Sequence, residues 1–514
     1  MSQADHKVYG DVARALAARL PEKPALITEK GTLTFAAANE RMNRFAHALL
    51  ALGLMPGDRI AVLSRNRNEI LECYGATKAG IIVVPLNWRL SEEELLHPLI
   101  DSEPVAVVAD PHLVPVIDRL RSKIPSTRLF IRFDGEQDGW LAYDELLAAS
   151  ASGEPDIAVG ENDTLSIMYT SGTTGKPKGA MLSHGGLMRN CIVAADRMIG
   201  LQESDVALAA MPLFHVGGLW YHLFPAYYRG CSTILLSEFS PDKVLSVMQT
   251  HGVTYVHLVP TMINALINHP NIDAFDLSRL RVLYYAASSI PVEMLRRAMT
   301  VFSQCEFLQG YGSTEAGMIT ALTADDHRAA VNSPELAYRL ATSGRALHCD
   351  VHILDPDKTG IGEIAVRSDR TMTGYWRNPA ATRAAEKQGW LRTGDLGRID
   401  SEGYLTIADR KNDMIVSGGE NVYPREVEDA LYQDPAVFEA AVFGLPDPHW
   451  VEKVVAAVVL QPGSTMSADK LKLQLRDRLA GYKCPKDIYF VDSLPKNGAG
   501  KILKKELRRI YGKT

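Results

Sequence analysis

The chain has 514 residues, far more than the roughly 250–300 at which a single hydrophobic core usually gives way to several, so at least two domains are expected. Hydrophobic residues make up 46% and charged residues 23% of the chain, a composition that excludes a disordered protein. The net charge of −6 provides no electrostatic attraction to nucleic acid, so we expect no nucleic-acid partner.

Cysteine usage and hydropathy indicate the compartment. The 6 cysteines are scattered without a CxxC pair, which fits a reducing cytoplasm better than a zinc site or a disulfide framework. No apolar run approaches the ~18 residues that a membrane helix needs, and the first residues do not resemble a secretory signal. We therefore expect a cytoplasmic protein with free thiols and no integral membrane segment.

Strand-like apolar runs alternate with helix-period segments from the N-terminus onward. Residues 11–20 place Val12, Leu16 and Leu20 on one face of a helix. Strands are predicted at 59–63 and 81–86, with a helix at 69–79 between them. This alternation predicts an α/β fold, with a large multi-sheet N-terminal domain whose helices cover largely parallel sheets.

The character of the sequence changes near residue 410. Residues 403–408 resemble the last strand of a large domain, and the polar stretch 409–413 follows. Beyond it, strands are predicted at 439–443 and 454–460 and helices at 468–479 and 501–511. We therefore predict two domains, residues 1–409 and residues 410–514, the second a small α+β domain.

The strongest chemical signal is the segment 170–179, Thr-Ser-Gly-Thr-Thr-Gly-Lys-Pro-Lys-Gly. Its glycines let backbone N–H groups approach an anion closely, its hydroxyls add donors, and its lysines add positive charge. The Walker A spacing of Gly-x-x-x-x-Gly-Lys-Ser/Thr is absent from it. The segment therefore predicts a phosphate-binding loop of another kind.

This segment closely resembles the phosphate loop of the adenylate-forming superfamily, which includes acyl-CoA and aryl-CoA synthetases, firefly luciferase and peptide-synthetase adenylation domains. Six further matches follow in the expected order across nearly the whole chain. They are Pro212 to His215, Gln309 to Glu315, Arg392 to Asp395, Asp409–Arg410, Ser417 to Asn421, and Pro495 to Lys501. Because seven matches in order do not arise by chance, the chain is identified as a member of this superfamily.

The resemblance implies an ATP-dependent acid–thiol ligase with two half-reactions. A carboxylic acid and ATP would give acyl-AMP and pyrophosphate, and coenzyme A would then take the acyl group and release AMP. Small-molecule acid, ATP, Mg²⁺ and coenzyme A are the ligands that the resemblance implies. Whether the protein is a monomer or a homodimer stays open.

The resemblance also implies a set of residues that contact ATP or AMP. They are Thr170, Ser171, Gly172, Thr173, Thr174, Gly175, Lys178, Ser288, Gly310, Tyr311, Gly312, Thr314, Asp395 and Arg410. Tyr311 would pack on adenine, and the Asp395 carboxylate would accept hydrogen bonds from both ribose hydroxyls. Glu315 would hold Mg²⁺, which prefers hard carboxylate oxygens.

Four residues are implied as catalytic: Thr174, His215, Glu315 and Lys501. Negative charge builds as pyrophosphate leaves, so catalysis has to come from positioning and charge neutralisation. Lys501 would bridge the carboxylate and the α-phosphate. Its ammonium sits on a flexible stem, and it would arrive when the small domain closes.

For the second half-reaction, the resemblance implies that the small domain rotates about a hinge at Asn412, where relatives mostly carry Asp or Lys. Rotation would replace Lys501 with Ser417, Gly418 and Gly419, which form part of a thiol tunnel. Trp450 matches an aromatic residue that contacts coenzyme A in some aryl-CoA ligases, although a structural tryptophan is the alternative. Relatives often follow this tryptophan with Gly-Glu, whereas this chain has Val451-Glu452.

The acyl pocket implied by the resemblance carries no charged side chain apart from a histidine. Its residues are His215, Gly217, Gly218, Tyr221, Ala287, Gly310, Ser313 and Met318. An amino-acid ammonium or a second carboxylate would be buried there without a partner. This leaves an uncharged apolar acid, either an aryl acid of the benzoate or hydroxycinnamate type or a medium- to long-chain fatty acid. Ala286 is a departure, because relatives usually carry glycine at that position.

Three alternatives to a coenzyme A ligase are compatible with the superfamily. They are a luciferase-like oxidase, an adenylation enzyme that loads a carrier protein, and an inactive nucleotide-binding scaffold. The scaffold is disfavoured because Thr314, Glu315, Asp395, Arg410 and Lys501 are all intact.

Overall fold

The computed structural model describes residues 6–170, 176–411, 413–417, 420–448, 450–497 and 500–512. Four sheets with helices packed on them make up this part of the chain. The predictions made for residues 171–175, Asn412, Gly418 and Gly419 lie outside the described residues.

An eight-stranded sheet forms the first layer, and most of its inner strands run parallel. Its strands, from edge to edge, are β19 (Gly374–Tyr375), β9 (Lys178–Ser183), β8 (Thr164–Thr170), β4 (Ile82–Leu86), β3 (Arg59–Leu63), β5 (Ala106–Ala109), β6 (Leu129–Arg132) and β7 (Leu141–Ala142). The predicted strands at 59–63 and 81–86 are confirmed as β3 and β4. Their continuous apolar sequence is typical of parallel strands that are buried on both faces.

A nine-stranded sheet forms the second layer. Its strands are β16 (Arg345–Ala346), β15 (Gly317–Leu322), β14 (Glu306–Ser313), β13 (Val282–Tyr285), β12 (Tyr255–Leu258), β10 (Val206–Ala209), β11 (Ser232–Leu235), β1 (Pro24–Thr28) and β2 (Gly31–Thr34). The run from β14 to β1 is parallel, and antiparallel strands close both edges. The carboxyl ends of β13 and β14 carry several of the predicted site residues.

Two smaller sheets complete the fold. The third sheet is antiparallel and contains β17 (Asp350–Leu354), β18 (Gly362–Arg367), β20 (Glu386–Lys387), β21 (Trp390–Ile399) and β22 (Leu405–Arg410). The fourth sheet contains β23 (Ile415–Ser417), β24 (Glu420–Val422), β25 (Val437–Asp447), β26 (Val451–Leu460) and β27 (Asp487–Phe490). The predicted strands at 439–443 and 454–460 are confirmed within β25 and β26.

Helices cover the faces of the sheets. In chain order they are α1 (Tyr9–Arg19), α2 (Phe35–Ala51), α3 (Asn68–Cys73), α4 (Glu92–Ser102), α5 (Val114–Leu120), α6 (Tyr143–Ala148), α7 (His184–Ile192), α8 (Val216–Gly218), α9 (Phe224–Arg229), α10 (Pro241–Thr250), α11 (Pro260–Ile267), α12 (Val292–Val301), α13 (Ala324–Asn332), α14 (Pro379–Ala384), α15 (Pro424–Leu431), α16 (Ala468–Arg476) and α17 (Lys504–Tyr511). Two π-helical segments, Val193–Ile199 and Leu219–Leu223, extend α7 and α8. Val12 and Leu16 are buried on α1, as predicted.

Three predicted helices differ from the structure at their ends. The predicted helix at 69–79 is α3 followed by a 3₁₀ helix, Tyr74–Ala79, which packs closely on α2 because the Gly75 site lies against the backbone of Met42. The helix predicted at 468–479 ends at Arg476. The helix predicted at 501–511 begins at Lys504, because Gly500 has φ +79° and Asn497 binds the backbone of Lys501.

The fourth sheet has apolar side chains packed on both of its faces. On one face Val442 and Val454 pack with residues of α15 and α16, and on the other Phe443 and Val455 pack with Leu507 of α17.

The four sheets and their helices confirm the predicted fold class, which is mixed α/β with a large sheet-rich N-terminal part and a smaller C-terminal part. The division at residues 409 and 410 stays a prediction.

All 6 cysteines are free, as predicted. Cys73, Cys191, Cys231 and Cys484 are buried, whereas Cys305 and Cys349 are partly buried. Burial raises the pKa of every one of these thiols. Among the helices that the structure describes, none is both long and apolar enough to cross a bilayer.

Candidate active site

Tyr311, Asp395 and Arg410 are brought together where the third sheet meets the nine-stranded sheet. Tyr311 lies near the end of β14, and its phenol donates a hydrogen bond to Oδ2 of Asp395 at 2.7 Å. Asp395 on β21 pairs with Arg410 on β22, and Arg410 Nε lies 3.7 Å from Asp395 Oδ1. Burial and the Asp395 carboxylate raise the pKa of Tyr311 well above its usual value, so the phenol stays a donor.

Glu315 contacts both the first residue of the predicted phosphate loop and strand β19. It lies with Thr314 in the turn between β14 and β15. Its Oε1 accepts hydrogen bonds from Thr170 Oγ1 at 2.9 Å and from the Tyr375 hydroxyl at 3.1 Å. Lys178, at the start of β9, places its Nζ 5.2 Å from the centre of the Tyr375 ring.

Tyr375 is a site residue that the sequence analysis missed. It reaches Glu315 because β19 pairs with β9 at the edge of the eight-stranded sheet, with Tyr375 opposite Ala180. Burial and the Glu315 carboxylate raise its pKa, which keeps the hydroxyl protonated. The only sequence signal was the pair Gly374-Tyr375 ahead of a helix, which is too short to identify a function.

Gly310 and Gly312 admit no side chain. A Cβ on Gly310 would stand 2.4 Å from the hydroxyl of Tyr284, and a Cβ on Gly312 would stand 2.4 Å from the carbonyl oxygen of Gly317. Contacts this short exclude any larger residue, so both glycines are needed for the close approach of β14 to its neighbours.

The predicted acyl residues lie at the start of α8 and along β14 and β15. His215 is the N-cap of α8, and its Nδ1 accepts from Gly217 N at 3.4 Å. Burial, with the charge of Lys501, lowers the pKa of His215 to about 4, so its ring is neutral at physiological pH. The hydroxyl of Tyr221 donates to the carbonyl oxygen of Ser313 at 2.7 Å, and Met318 is fully buried on β15.

Two residues of the predicted acyl set, Gly218 and Ala287, are constrained by the backbone around them. A Cβ on Gly218 would lie 2.4 Å from the carbonyl oxygen of Pro212, so only glycine fits there. Ala287 follows β13 with φ +75°, a left-handed conformation that costs a non-glycine residue about 1–2 kcal/mol. Ala286 is buried and Ser288 is partly buried beside it.

Lys501 lies in the segment before α17, where the charges of Arg410 and Asp395, two residues predicted to bind the nucleotide, act on it. Its backbone N–H donates to Oδ1 of Asn497 at 2.9 Å, and a Cβ on Gly500 would lie 3.1 Å from Oγ1 of Thr261. Burial and the charge of Arg410 together lower the pKa of Lys501 to about 8, and the charge of Asp395 acts in the opposite direction. The charge of Lys501 in turn lowers the pKa of His215, so Lys501, His215 and Asp395 share one electrostatic environment.

Ser417 and Trp450, the two described residues of the set predicted to contact coenzyme A, lie near the facing ends of β23 and β26 in the fourth sheet. Ser417 is buried on β23 and pairs with Val451 at the start of β26. Trp450 N donates to Oδ1 of Asp447 at 2.9 Å, and Lys486 Nζ lies 4.8 Å from the centre of the Trp450 ring.

Arg425 on α15 joins the fourth sheet to the rest of the site. Its guanidinium donates to the carbonyl oxygens of Ile407 at 2.9 Å and Ala341 at 3.4 Å, and its backbone N–H donates to Oδ2 of Asp409 at 3.1 Å. Lys504 Nζ lies 3.9 Å from the same carboxylate. These contacts hold α15 and α17 of the smaller part against Asp409 and β22.

Comparison with known proteins identifies the family to which the chain belongs. Residues 13–376 match the family described as AMP-binding enzyme, and residues 426–501 match the AMP-binding enzyme C-terminal domain. The chain is 39% identical over 506 residues to a feruloyl-CoA synthase from Amycolatopsis sp, with 96% of this chain and 97% of that protein covered.

Two further relatives cover nearly the whole chain. The long-chain-fatty-acid–CoA ligase FadD13 from Mycobacterium tuberculosis is 37% identical over 494 residues, with 94% of each chain covered. The crystal structure of the anthranilate CoA ligase AuaEII in complex with anthranoyl-AMP is 26% identical, with a TM-score of 0.90 and 99% of each chain covered. The superfamily predicted from the sequence motifs is thereby confirmed. The chain belongs to the AMP-binding enzymes of the adenylate-forming superfamily and is an AMP-forming acid–CoA ligase.

Proposed function

We propose that this ligase activates an uncharged aryl carboxylic acid as its acyl-adenylate and transfers the acyl group to coenzyme A. The observation that carries the proposal is the neutral ring of His215 among predicted acyl residues that are otherwise uncharged. A charged substrate end would be buried there without a counter-charge. A feruloyl-CoA synthase that is 39% identical and an anthranilate CoA ligase of the same fold support an aryl acid, while the long-chain-fatty-acid–CoA ligase that is 37% identical makes a fatty acid the alternative.

In the first half-reaction, each described residue has a role that its contacts support. Asp395 would accept the ribose hydroxyls, while the phenol of Tyr311 holds its Oδ2 in place. Thr170 and Lys178 belong to the predicted phosphate loop, 170–179, whose residues would bind the phosphates. Lys501 would neutralise charge on the carboxylate and the α-phosphate as the new anhydride forms.

Mg²⁺ is implied by the family, and the residues present fit it. Glu315 offers a hard oxygen, and the hydrogen bonds from Thr170 and Tyr375 both go to Oε1. Mg²⁺ usually binds through one or two carboxylates together with substrate phosphates, and one carboxylate next to a phosphate loop meets that pattern. When bound, the ion would offset negative charge on the phosphates.

In the second half-reaction, residues 410–514 would rotate about Asn412 as a mobile domain and present a different surface to the acyl-adenylate. Ser417, Gly418 and Gly419 would line the path of the thiol, and Trp450 would contact coenzyme A. The pairing of Ser417 with Val451, next to Trp450, supports a single surface for these residues.

The experiment is an assay of AMP release and thioester formation with a panel of acids, ATP and coenzyme A. Aryl acids should give the highest kcat/KM, fatty acids lower values, and amino acids and dicarboxylates none. Turnover confined to amino acids or dicarboxylates would contradict the pocket argument, and release of AMP without a coenzyme A thioester would indicate another acyl acceptor, such as a carrier protein.

The role of Lys501 is tested in the same assay. Lys501→Met should reduce adenylate formation by at least about 100-fold, because a preorganised charge in the transition state is lost. It should largely spare thioester formation from supplied acyl-adenylate. Lys505→Met is the matched control, since Lys505 is an exposed lysine on the same segment and should leave both half-reactions unchanged.

A further inference from the structure

Two histidines are buried on the face of the nine-stranded sheet that lies beneath the predicted acyl pocket. His257 belongs to β12, and His222 belongs to the π-helix Leu219–Leu223 above it. Each is 1% exposed, and their ring centres are 6.1 Å apart. Tyr255 precedes His257 on the same face of β12, with its ring 4.8 Å from that of His222.

Glycines of the predicted acyl pocket lie against this group. A Cβ on Gly217 would stand 3.9 Å from Cε1 of His257. The ring of His257 stacks on Tyr284 at 4.0 Å, and the hydroxyl of Tyr284 fills the space beside Gly310. His257 therefore lies directly behind Gly217, a predicted acyl residue, and His222, His257 and Tyr255 are together called the histidine floor below.

The polar atoms of this floor have no partners within the described part of the chain. Both ring nitrogens of His222, both of His257 and the hydroxyl of Tyr255 are buried without a hydrogen bond. The backbone of Leu208 lies near His222 and that of Gly217 lies near His257, which slightly offsets the effect of burial on their pKa values, but neither reaches hydrogen-bond geometry. Buried polar groups are normally paired, so several such atoms at one place indicate a missing partner.

His327 is another buried histidine, but both of its ring nitrogens have hydrogen-bond partners. It is also 1% exposed, and its Nδ1 lies 2.7 Å from the carbonyl oxygen of Thr323 while its Nε2 lies 2.9 Å from the hydroxyl of Tyr285. Tyr285 belongs to β13 and points to the opposite face of the sheet from Tyr284. The unpaired state of His222 and His257 is therefore not a general consequence of burial in this fold.

The floor is polar but uncharged. Burial lowers the pKa of His222 to about 3 and that of His257 well below its usual value, and in His257 the neighbouring rings of His222 and His215 act in the same direction. A neutral imidazole carries one N–H donor and one acceptor nitrogen. A group that both donates and accepts suits this pair, whereas a carboxylate would lack a counter-charge.

Given the proposed function, on which this inference rests, we propose that His222, His257 and Tyr255 bind a neutral oxygen substituent at the end of the acid remote from its carboxyl. A hydroxyl satisfies them best, because it can donate to one ring and accept from another. The substrates are therefore aryl acids with a distal hydroxyl group, and the unsubstituted acids leave the floor unpaired.

The test compares acids of the same shape with and without the oxygen. The value of kcat/KM for thioester formation is measured for 4-hydroxycinnamate against 4-methylcinnamate, and for 4-hydroxybenzoate against 4-methylbenzoate. We expect the hydroxyl acid to be favoured by about 10- to 100-fold in at least one pair, since the methyl acid forfeits hydrogen bonds to buried groups. Equal values within both pairs, or a preference for the methyl acid in both, would overturn the inference.

Substitutions at His222 and His257 then test whether these residues cause the preference for the hydroxyl acid. His257→Leu and His222→Phe should each reduce kcat/KM for the hydroxyl acid and raise it for the methyl acid, because the floor becomes apolar. His327→Gln is the matched control on the other face of the sheet and should keep the wild-type preference. A preference that survives in folded His257→Leu and His222→Phe proteins would refute the assignment.

The same assay distinguishes a failure of the proposed function from a failure of the inference about the histidines. If no uncharged acid in these pairs gives a coenzyme A thioester with the wild-type protein, the proposed function fails. If both members of each pair give the thioester equally well, only the role of the histidine floor is lost.

Discussion

Burial lowers the pKa of Lys501 to about 8, which places the loss of its charge close to physiological pH. A lysine with a lowered pKa is charged below that value and becomes neutral as the pH rises through it. The proposed role of Lys501 requires the charged form. Bound phosphates and carboxylate stabilise the ammonium, so its pKa in the substrate complex lies above that of the free enzyme.

We therefore predict that kcat/KM for ATP in the adenylation half-reaction falls above about pH 8, whereas kcat falls only at a higher pH. Pyrophosphate exchange measured between about pH 6.5 and 9.5 checks this expectation. Lys501→Arg keeps its charge over this range and should lose the fall in kcat/KM, although its absolute rate is lower because the guanidinium has a different shape. A flat wild-type profile through pH 9.5 would contradict the prediction.

Only some residues of the candidate site could be predicted from the sequence. Tyr311, Asp395 and Glu315 could be proposed from the sequence because they stand within motifs of several consecutive residues, and their roles stay predictions. Tyr375 was missed because its contact with Glu315 depends on the pairing of β19 with β9, which brings together residues from distant parts of the chain. His222 and His257 were missed for the same reason, since their proximity arises from a π-helix packed on a strand.

Among the elements, the hairpin of β25 and β26 contains an unusual backbone conformation. Val451, at the first position of β26, has φ +70° and is 67% exposed. A β-branched residue in the left-handed region is a genuine outlier, at a cost of about 1–2 kcal/mol. The glycine that relatives often carry after the tryptophan would adopt this conformation without strain, which explains physically why Val451 is a departure.

We predict that Val451→Gly stabilises the hairpin by about 0.5–1 kcal/mol, because relief of the left-handed strain exceeds the entropy that glycine adds to the unfolded chain. The midpoint of urea unfolding, followed by a probe in residues 410–514, should rise. Val451→Ala removes the β-branch but keeps Cβ, so its gain should be smaller. A lower midpoint for Val451→Gly than for the wild type would show that the valine is not strained.

The ends of elements were predicted less well than their existence. The strand at 59–63 was found at its full length because a buried parallel strand has a continuous apolar sequence. The helix predicted at 69–79 changes to a 3₁₀ helix at Tyr74, because the approach of Gly75 to α2 requires a local geometry that hydrophobic periodicity does not encode. The helix predicted from Lys501 starts later because a side chain, Asn497, competes for its first turn.

At the scale of the whole molecule, Arg425 and Lys504 connect the fourth sheet to Asp409 and to the backbone near it. The guanidinium of Arg425 is largely buried, with 12% of its side chain exposed. Hydrogen bonds from a charged donor contribute roughly 1.5–3 kcal/mol each, so these contacts stabilise the arrangement in which the charge of Asp395 acts on Lys501.

We predict that Arg425→Ala slows adenylation by about tenfold, the factor that corresponds to a loss of roughly 1.4 kcal/mol. Thioester formation from supplied acyl-adenylate should keep its rate or increase, because the arrangement that serves the first step becomes less populated. Single-turnover measurements of the two half-reactions separate these effects. Arg478→Ala is the control, since Arg478 donates to the carbonyl oxygen of Ala430 within the smaller part. Equal slowing of both half-reactions by Arg425→Ala would mean that the contact has no selective role.

The raised pKa values of the six thiols affect whether the protein's own cysteines can react with the acyl-adenylate. An acyl-adenylate is a mixed anhydride, and thiolates attack such anhydrides far faster than thiols do. Because burial keeps every cysteine of this chain protonated, the protein holds no competing thiolate of its own during catalysis. The enzyme is thereby protected from self-acylation, and the acyl group is left for the thiol that arrives from solution.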